Sequence, residues 1–104
     1  MINEDFTITK EKTHEGIKFI IKGRANTVSA EELQHYLEKA IEEGQLNIVL
    51  NMLRVEYLSS AGIRVILKAY KDVKKAGGKL GIEMPSENVR NVLGQTALDE
   101  MLIR

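Results

Sequence analysis

The sequence contains no cysteine. Disulfides, thiol nucleophiles and thiolate metal sites are excluded with it, and such a chain suits a reducing cytoplasm. Proline is almost absent as well: Pro85 stands alone, late in the chain, and no Pro/Gly/Ser-rich linker, internal repeat or low-complexity tract divides the rest. Imidazole can come only from His14 and His35. Neither sign of charge prevails, since 15 basic residues face 15 acidic ones for a net charge of zero. No bulk attraction to nucleic acid or to an anionic membrane is therefore expected. Long apolar runs are missing too: none approaches the ~20 residues that cross a bilayer. The opening "MINEDFTITK" carries Glu4 and Asp5 and lacks the apolar region of a secretory signal. These absences predict one soluble, cytoplasmic domain over 1–104, large enough to bury roughly 65% of its extended surface in one core.

What is present has a clear order. Phe6 and Ile8 alternate with polar neighbours, "HEG" (His14 to Gly16) reads as a turn, and "IKFIIKG" (Ile17 to Gly23) reads as a second strand, so the chain is expected to open with a hairpin. The period then changes. Ser29 followed by Glu32 matches a capping box, and Leu33, Leu37, Ala40 and Ile41 fall on one helical face until Gly44. "LNIVLNML" (Leu46 to Leu53) is nearly all apolar, as a central strand buried on both faces is expected to be. From Ser60, the residues Ile63, Ile66, Leu67, Tyr70 and Val73 predict an amphipathic helix with Arg64, Lys68, Lys71 and Lys75 opposite, ended by Gly77 and Gly78. "KLGIEM" (Lys79 to Met84) is a further strand, and its spacing from the previous one implies a parallel pair with a right-handed crossover. After Pro85, Ser86 caps a short helix with Val89, Val92 and Leu93 inside and Gly94 at its end; "TALDEMLIR" receives no assignment. The fold class is α/β: a mixed, mostly parallel sheet begun by an antiparallel hairpin, with helices packed on it.

The stretch "YLSSAGIRVIL" (Tyr57 to Leu67) carries the one strong candidate for chemistry. A loop over Arg54 to Leu58 is expected to lead from the strand into a helix starting at Ser59 or Ser60, which puts both hydroxyls beyond the carboxyl end of a sheet, where open α/β folds place their sites. Unpaired N–H groups and the helix dipole there tolerate a phosphate. A plain N-cap explains one serine equally well, at about 1 kcal/mol. Gly62, which weakens a helix by up to ~1 kcal/mol, and Ala61 point to surroundings kept open.

The segment "IVLNMLRVEYLSSAGIRVILKAYKDVKKAGGKLGI" (Ile48 to Ile82) resembles the STAS domain family, particularly the bacterial anti-sigma factor antagonists. Likeness extends to "IIKGRANTVSAEELQHYLEKAI" and to "PSENVRNVLGQTALDEMLIR", nearly the whole chain. The resemblance implies a non-enzymatic module that, unphosphorylated, binds an anti-sigma factor acting also as a serine kinase and so releases a sigma factor. The phosphoacceptor it implies is Ser60, two positions before Gly62, with Ser59 capping the helix. A serine phosphatase is the further implied partner, and the chain is expected as a monomer or weak dimer. The expected contact surface comprises Ser59, Ser60, Ala61, Gly62 and Arg64 with a loop at Arg24, Ala25, Asn26 and Thr27. Relatives often carry aspartate where this chain has Asn51 and Asn26, and asparagine keeps the hydrogen bonds without the charge.

Phosphorylation is expected to act as an off-switch: a helix start accommodates about two negative charges, whereas a partner packed over them must desolvate them. Other readings compete. Ser60 as a nucleophile lacks the Gly-x-Ser-x-Gly elbow, since Leu58 stands two before it. The lysines of the second helix read first as a solvated face, not as a nucleic-acid site, and "GGKL" has neither the upstream glycine nor the hydroxyl of a phosphate loop. No metal site or cofactor is expected. A STAS subunit of another signalling assembly, or of a lipid-transport complex, is the alternative setting.

Overall fold

The structure is a computed structural model and describes residues 5–94 and 101–103. Its elements run β1 (Phe6–Lys12), β2 (Ile17–Ala25), α1 (Thr27–Glu42), β3 (Asn47–Leu58), α2 (Ser60–Lys75), β4 (Lys79–Glu83) and α3 (Glu87–Leu93). The four strands form one sheet in the order β1-β2-β3-β4, with β1 antiparallel to β2 and the remaining pairs parallel. The expected α/β class and opening hairpin are therefore present. Thr13 closes the hairpin turn, where its N–H donates to the Gly16 carbonyl (2.9 Å) and its Oγ1 accepts from the Gly16 N–H (3.0 Å).

Alternation along the strands decides which side of the sheet is covered. Ile17, Phe19 and Ile21 of β2, Ile48, Leu50 and Met52 of β3, and Leu80 and Ile82 of β4 are buried in one core with Leu33 and Leu37 of α1, Ile66 and Val73 of α2, and Val89 and Leu93 of α3. Side chains projecting from the opposite side, such as Lys18, Ile20, Val49 and Asn51, are only half-buried. This corrects the expectation that β3 is buried on both faces. Its consecutive apolar residues divide between a helix-covered side and an open one, because all three helices contribute to the single core.

Two boundaries also differ from those read in the sequence. The expected loop between β2 and the first helix is absent: Gly23, Arg24 and Ala25 are strand, and Asn26 alone separates them from α1. Asn26, not Ser29, is the N-cap. Asn26 Oδ1 accepts from the Ser29 N–H (2.9 Å), while Ser29 Oγ accepts from the Asn26 N–H (2.8 Å) and donates to the Arg24 carbonyl (2.6 Å). The box exists three residues upstream of the one predicted, since asparagine is as good a cap as serine and the strand brings it to the turn first. Likewise β3 continues through the expected loop at Arg54 to Leu58 and delivers the chain directly into α2.

The face that α2 buries is centred on Gly62, Ile66, Ala69 and Val73, with Ile63, Leu67 and Tyr70 half-buried on its flanks. Ser86 caps α3 as read, accepting from the Val89 N–H (3.2 Å) and donating to the Val55 carbonyl (2.6 Å). Of the unassigned C-terminal stretch, Thr96 to Glu100 and Arg104 lie outside the described residues. Met101 is buried, Leu102 bridges Ile82, and the Ile103 N–H donates to the Ile82 carbonyl (2.9 Å).

One polar cluster crosses the open side. Glu83 receives Lys18 Nζ at 3.0 Å and Asn51 Nδ2 at 2.8 Å, so three strands meet at one carboxylate. The hydrogen bond from Lys18, and secondarily that from Asn51, holds Glu83 below its ordinary value of 4.5 against the opposing effect of burial. A carboxylate whose folded value is depressed contributes stability that is present above the unfolded value and lost as pH falls through the folded one. Thermal melts between neutral and acid pH are expected to show that loss beginning near the ordinary carboxylate range, and Glu83→Gln is expected to flatten it. Equal pH slopes for both proteins would remove the cluster from the account.

Candidate functional site

The carboxyl ends of β2 and β3 place two helix starts side by side. A single backbone bond sets this up: the Ser59 N–H donates to the Ala25 carbonyl (2.9 Å), joining the residue before α2 to the one before the cap of α1. Both helices run for 16 residues. Their positive ends therefore face the same patch of solvent.

The two serines have different environments. Ser59 is the N-cap of α2 and only 7% exposed; its Oγ accepts from the Gly62 N–H (3.1 Å) and its carbonyl from the Ile63 N–H (2.9 Å). Ser60 is the first helical residue and is exposed. The N–H groups of Ser60 and Ala61 are those that helix geometry leaves without an intrahelical acceptor, so an anion on Ser60 meets donors and the dipole together. Replacing Ser59 with alanine is expected to cost about 1 kcal/mol through the lost cap, and chemical denaturation measures it. The same variant should leave the Ser60 hydroxyl as accessible as before.

Around Ser60 the expected contact residues separate into two groups. Ala25, Ser59 and Gly62 are buried, so they shape the patch from beneath. Arg24, Thr27, Ser60 and Arg64 are exposed, while Asn26 and Ala61 are half-buried. Arg64 follows Ser60 by one helical turn and lies on the same face. Gly62 has a packing reason in place of the openness inferred from the sequence. A Cβ there would lie 2.8 Å from Leu58 Cδ1 and 3.5 Å from the Ala25 carbonyl oxygen, so the glycine lets α2 close on the sheet.

Two residues of this patch were absent from the expected set. Val28 is 73% exposed at the start of α1, and Tyr57, 42% exposed, lies in register with Arg24, whose guanidinium stacks on its ring at 4.8 Å. Val28 ends the expected loop "GRANTV" and Tyr57 lies in the loop expected over Arg54 to Leu58, and in neither place does local spacing mark an exposed apolar contact. Only the strand register reveals the Arg24–Tyr57 stack.

The alternatives to a binding patch gain nothing from the geometry. His14 lies in the hairpin turn at the far end of the sheet and His35 is exposed on α1; neither hydrogen-bonds to Ser60. Lys68 is tied to Asp72 at 2.9 Å, a hydrogen bond that raises its pKa, so the basic side of α2 is partly neutralised within the helix. Among the described residues, no three His, Cys, Asp or Glu side chains converge as a metal site, and no helix is long and apolar enough to cross a membrane.

With a buried capping serine and an exposed serine beside it at the start of a helix on a four-stranded mixed sheet, the class follows from the sequence comparison: residues 7–104 match the STAS domain model, and the chain belongs to the STAS domain family. Among curated relatives it is similar to the putative anti-sigma factor antagonist BtrV of Bordetella bronchiseptica, at 31% identity over 82% of this chain and 73% of that one. It is also similar to the anti-sigma-B factor antagonist of Bacillus subtilis, at 29% identity over 94% of this chain and 89% of that one. In solved structures the fold matches the unphosphorylated anti-sigma factor antagonist SpoIIAA, with a TM-score of 0.83, 20% identity and 93% and 86% of the two chains covered. The phosphorylated form of the Bacillus cell fate determinant SpoIIAA matches with a TM-score of 0.77, 20% identity and coverage of 93% and 89%. Anti-sigma factor antagonists are regulatory binding proteins, and the chain is a binding module of that family, not an enzyme.

Proposed function

We infer that the protein is an anti-sigma factor antagonist: unphosphorylated, it binds an anti-sigma factor that is also a serine kinase, a sigma factor is released, and phosphate on Ser60 ends the binding. The observation that carries this reading is the contrast between adjacent hydroxyls. Ser59 is committed to the cap, whereas Ser60 is exposed, with its Oγ beside the open start of α2. The names of the curated relatives support the partner class.

The contact surface in this reading is formed by Ser60, Ala61 and Arg64 on α2, Thr27 and Val28 on α1, and the Arg24–Tyr57 stack. Val28 and Tyr57 supply the apolar area that a partner can desolvate, and the arginines supply charge-assisted hydrogen bonds at the rim. A cytoplasmic setting, a serine phosphatase that resets Ser60, and a monomer or weak dimer complete the proposal. Asn51 fits within it: where an aspartate would stand 2.8 Å from the Glu83 carboxylate, the amide donates to it.

The test is to incubate the protein with its cognate kinase and ATP and to locate the phosphate by mass spectrometry. Incorporation at Ser60, lost in Ser60→Ala, is expected. No incorporation, or equal incorporation in the variant, sinks the switch.

A further inference from the structure

Arg64 stands on the face of α2 that begins at Ser60, in a setting that disfavours a cation. It lies only one turn into the helix, where the positive end of the dipole favours acids, yet the first turns of both α1 and α2 carry no acidic residue. One turn further along is Lys68, and like charges at that spacing destabilise a helix. Neither ion pair among the described residues, Lys18–Glu83 or Lys68–Asp72, includes Arg64. The acids that border the α1–α2 groove with Arg64 are engaged elsewhere: Asp72 accepts from Lys68 Nζ (2.9 Å) and Glu38 from Gln34 Nε2 (2.7 Å).

Helix geometry decides which neighbour Arg64 reaches. Side chains on a helix lean toward its N-terminus and lie over the preceding turn, which for Arg64 is the turn of Ser60 and Ala61. Cβ atoms four residues apart are separated by about 6 Å, a gap that an arginine side chain spans. Both Ser60 and Arg64 are exposed.

A hydroxyl gives the guanidinium little to hold. A phosphate on the same oxygen carries roughly two negative charges, and its acceptor oxygens suit the planar fork of arginine, which binds them bidentately. Other cations are less well placed. Arg24 is stacked on the Tyr57 ring at 4.8 Å, and Lys68 stands two turns from Ser60 and is held by Asp72.

We propose that Arg64 is the internal counter-ion of a phosphate on Ser60: modification draws the guanidinium into a pair with the phosphate across one turn of α2. The proposal rests on Ser60 as the phosphoacceptor and adds to that reading a second way of ending the binding. Arg64 belongs to the contact surface inferred above. The phosphate therefore brings charge into the interface and also withdraws from it a cation available to the partner. Because the pair lies within one helix, the backbone need not move.

The test needs no kinase: phosphoserine is installed at position 60 of the full chain during translation, and its phosphorus NMR signal is followed against pH. The second ionisation of phosphoserine ordinarily falls at about 6. A paired cation favours the dianion and lowers that value, so Arg64→Gln is expected to raise it by about 0.3 pH unit or more relative to the phosphorylated parent. Arg64→Lys should fall between, and Lys68→Gln and Arg24→Gln should move it less. The Arg64 Nε–H resonance is expected to shift when the phosphate is present, and the shift should shrink as salt is raised. The proposal is overturned if Arg64→Gln leaves the ionisation where the parent has it, or if Lys68→Gln or Arg24→Gln raises it as much. It is equally overturned if the Arg64 Nε–H resonance is the same with and without the phosphate. A kinase that fails to modify Ser60 would sink the switch without touching these results, so the two can fail separately.

Discussion

Partner binding is expected to weaken by about a hundredfold to a thousandfold when Ser60 carries a phosphate, with almost no change in the melting temperature. The two halves of this result have separate causes. Within the domain, the added charge lies at the start of a 16-residue helix, next to N–H groups that lack intrahelical acceptors, and Arg64 is one turn away. The Ser59 cap beneath it is untouched, since that bond runs from Gly62 to Ser59 Oγ. Across an interface the same phosphate must give up water against Val28, Tyr57 and whatever covers them, and an unpaired interfacial charge costs several kcal/mol, which is the hundredfold or more. Isothermal titration of the kinase with unmodified, phosphorylated and Ser60→Ala protein measures it. Ser60→Ala should bind like the unmodified chain, and Ser60→Glu, with less charge and fewer oxygens, should fall between. Equal affinities throughout would place the interface away from α2.

The second large effect is on stability. Gly23→Ala is expected to cost about 3 kcal/mol, lowering the melting temperature by more than about 10 °C. Gly23 has φ of +104°, and a Cβ built on it would lie 1.7 Å from the Asp5 carbonyl oxygen and 3.1 Å from the Phe6 Cα. Left-handed backbone alone costs a side-chain-bearing residue ~1–2 kcal/mol, and backbone offers no rotamer by which to relieve the overlap. The strand must shift instead. That shift reaches the functional patch, because the next residue, Arg24, donates its N–H to the same Asp5 carbonyl (2.9 Å) and stacks on Tyr57. Gly62→Ala is the instructive contrast: its nearest neighbour is the end of the flexible Leu58 side chain, and alanine favours the helix. Calorimetry should show a much smaller loss there. A Gly23→Ala protein as stable as the parent would mean that β1 and β2 do not approach as described.

Why some of this was legible in sequence and some was not follows from the range of the interactions. The α/β order, the opening hairpin, the helix of Ser60 to Lys75 and the Ser86 cap rest on periodicity and capping among residues a few positions apart, and such signals survive in a bare sequence. The Ser59 cap belongs with them. The missed boundaries show the limit. Asn26 and Ser29 are both good caps, and local chemistry could not say which the incoming strand would reach first. Arg54 to Leu58 looked like a loop because its polar residues break the apolar run, yet pairing with Lys22 to Ala25 keeps it a strand.

By itself, then, the sequence determined the element order, one core, the family and the serine at the helix start, because each is written in spacing, composition or motif. Tertiary structure decided the rest. It chose which side of β3 to cover and gave Gly62 a packing role beside Leu58. It also set Arg24 on Tyr57 and Lys22 against Arg54. All of these depend on which residue of one strand faces which residue of the next, and a shift of one residue would turn every side chain to the other face.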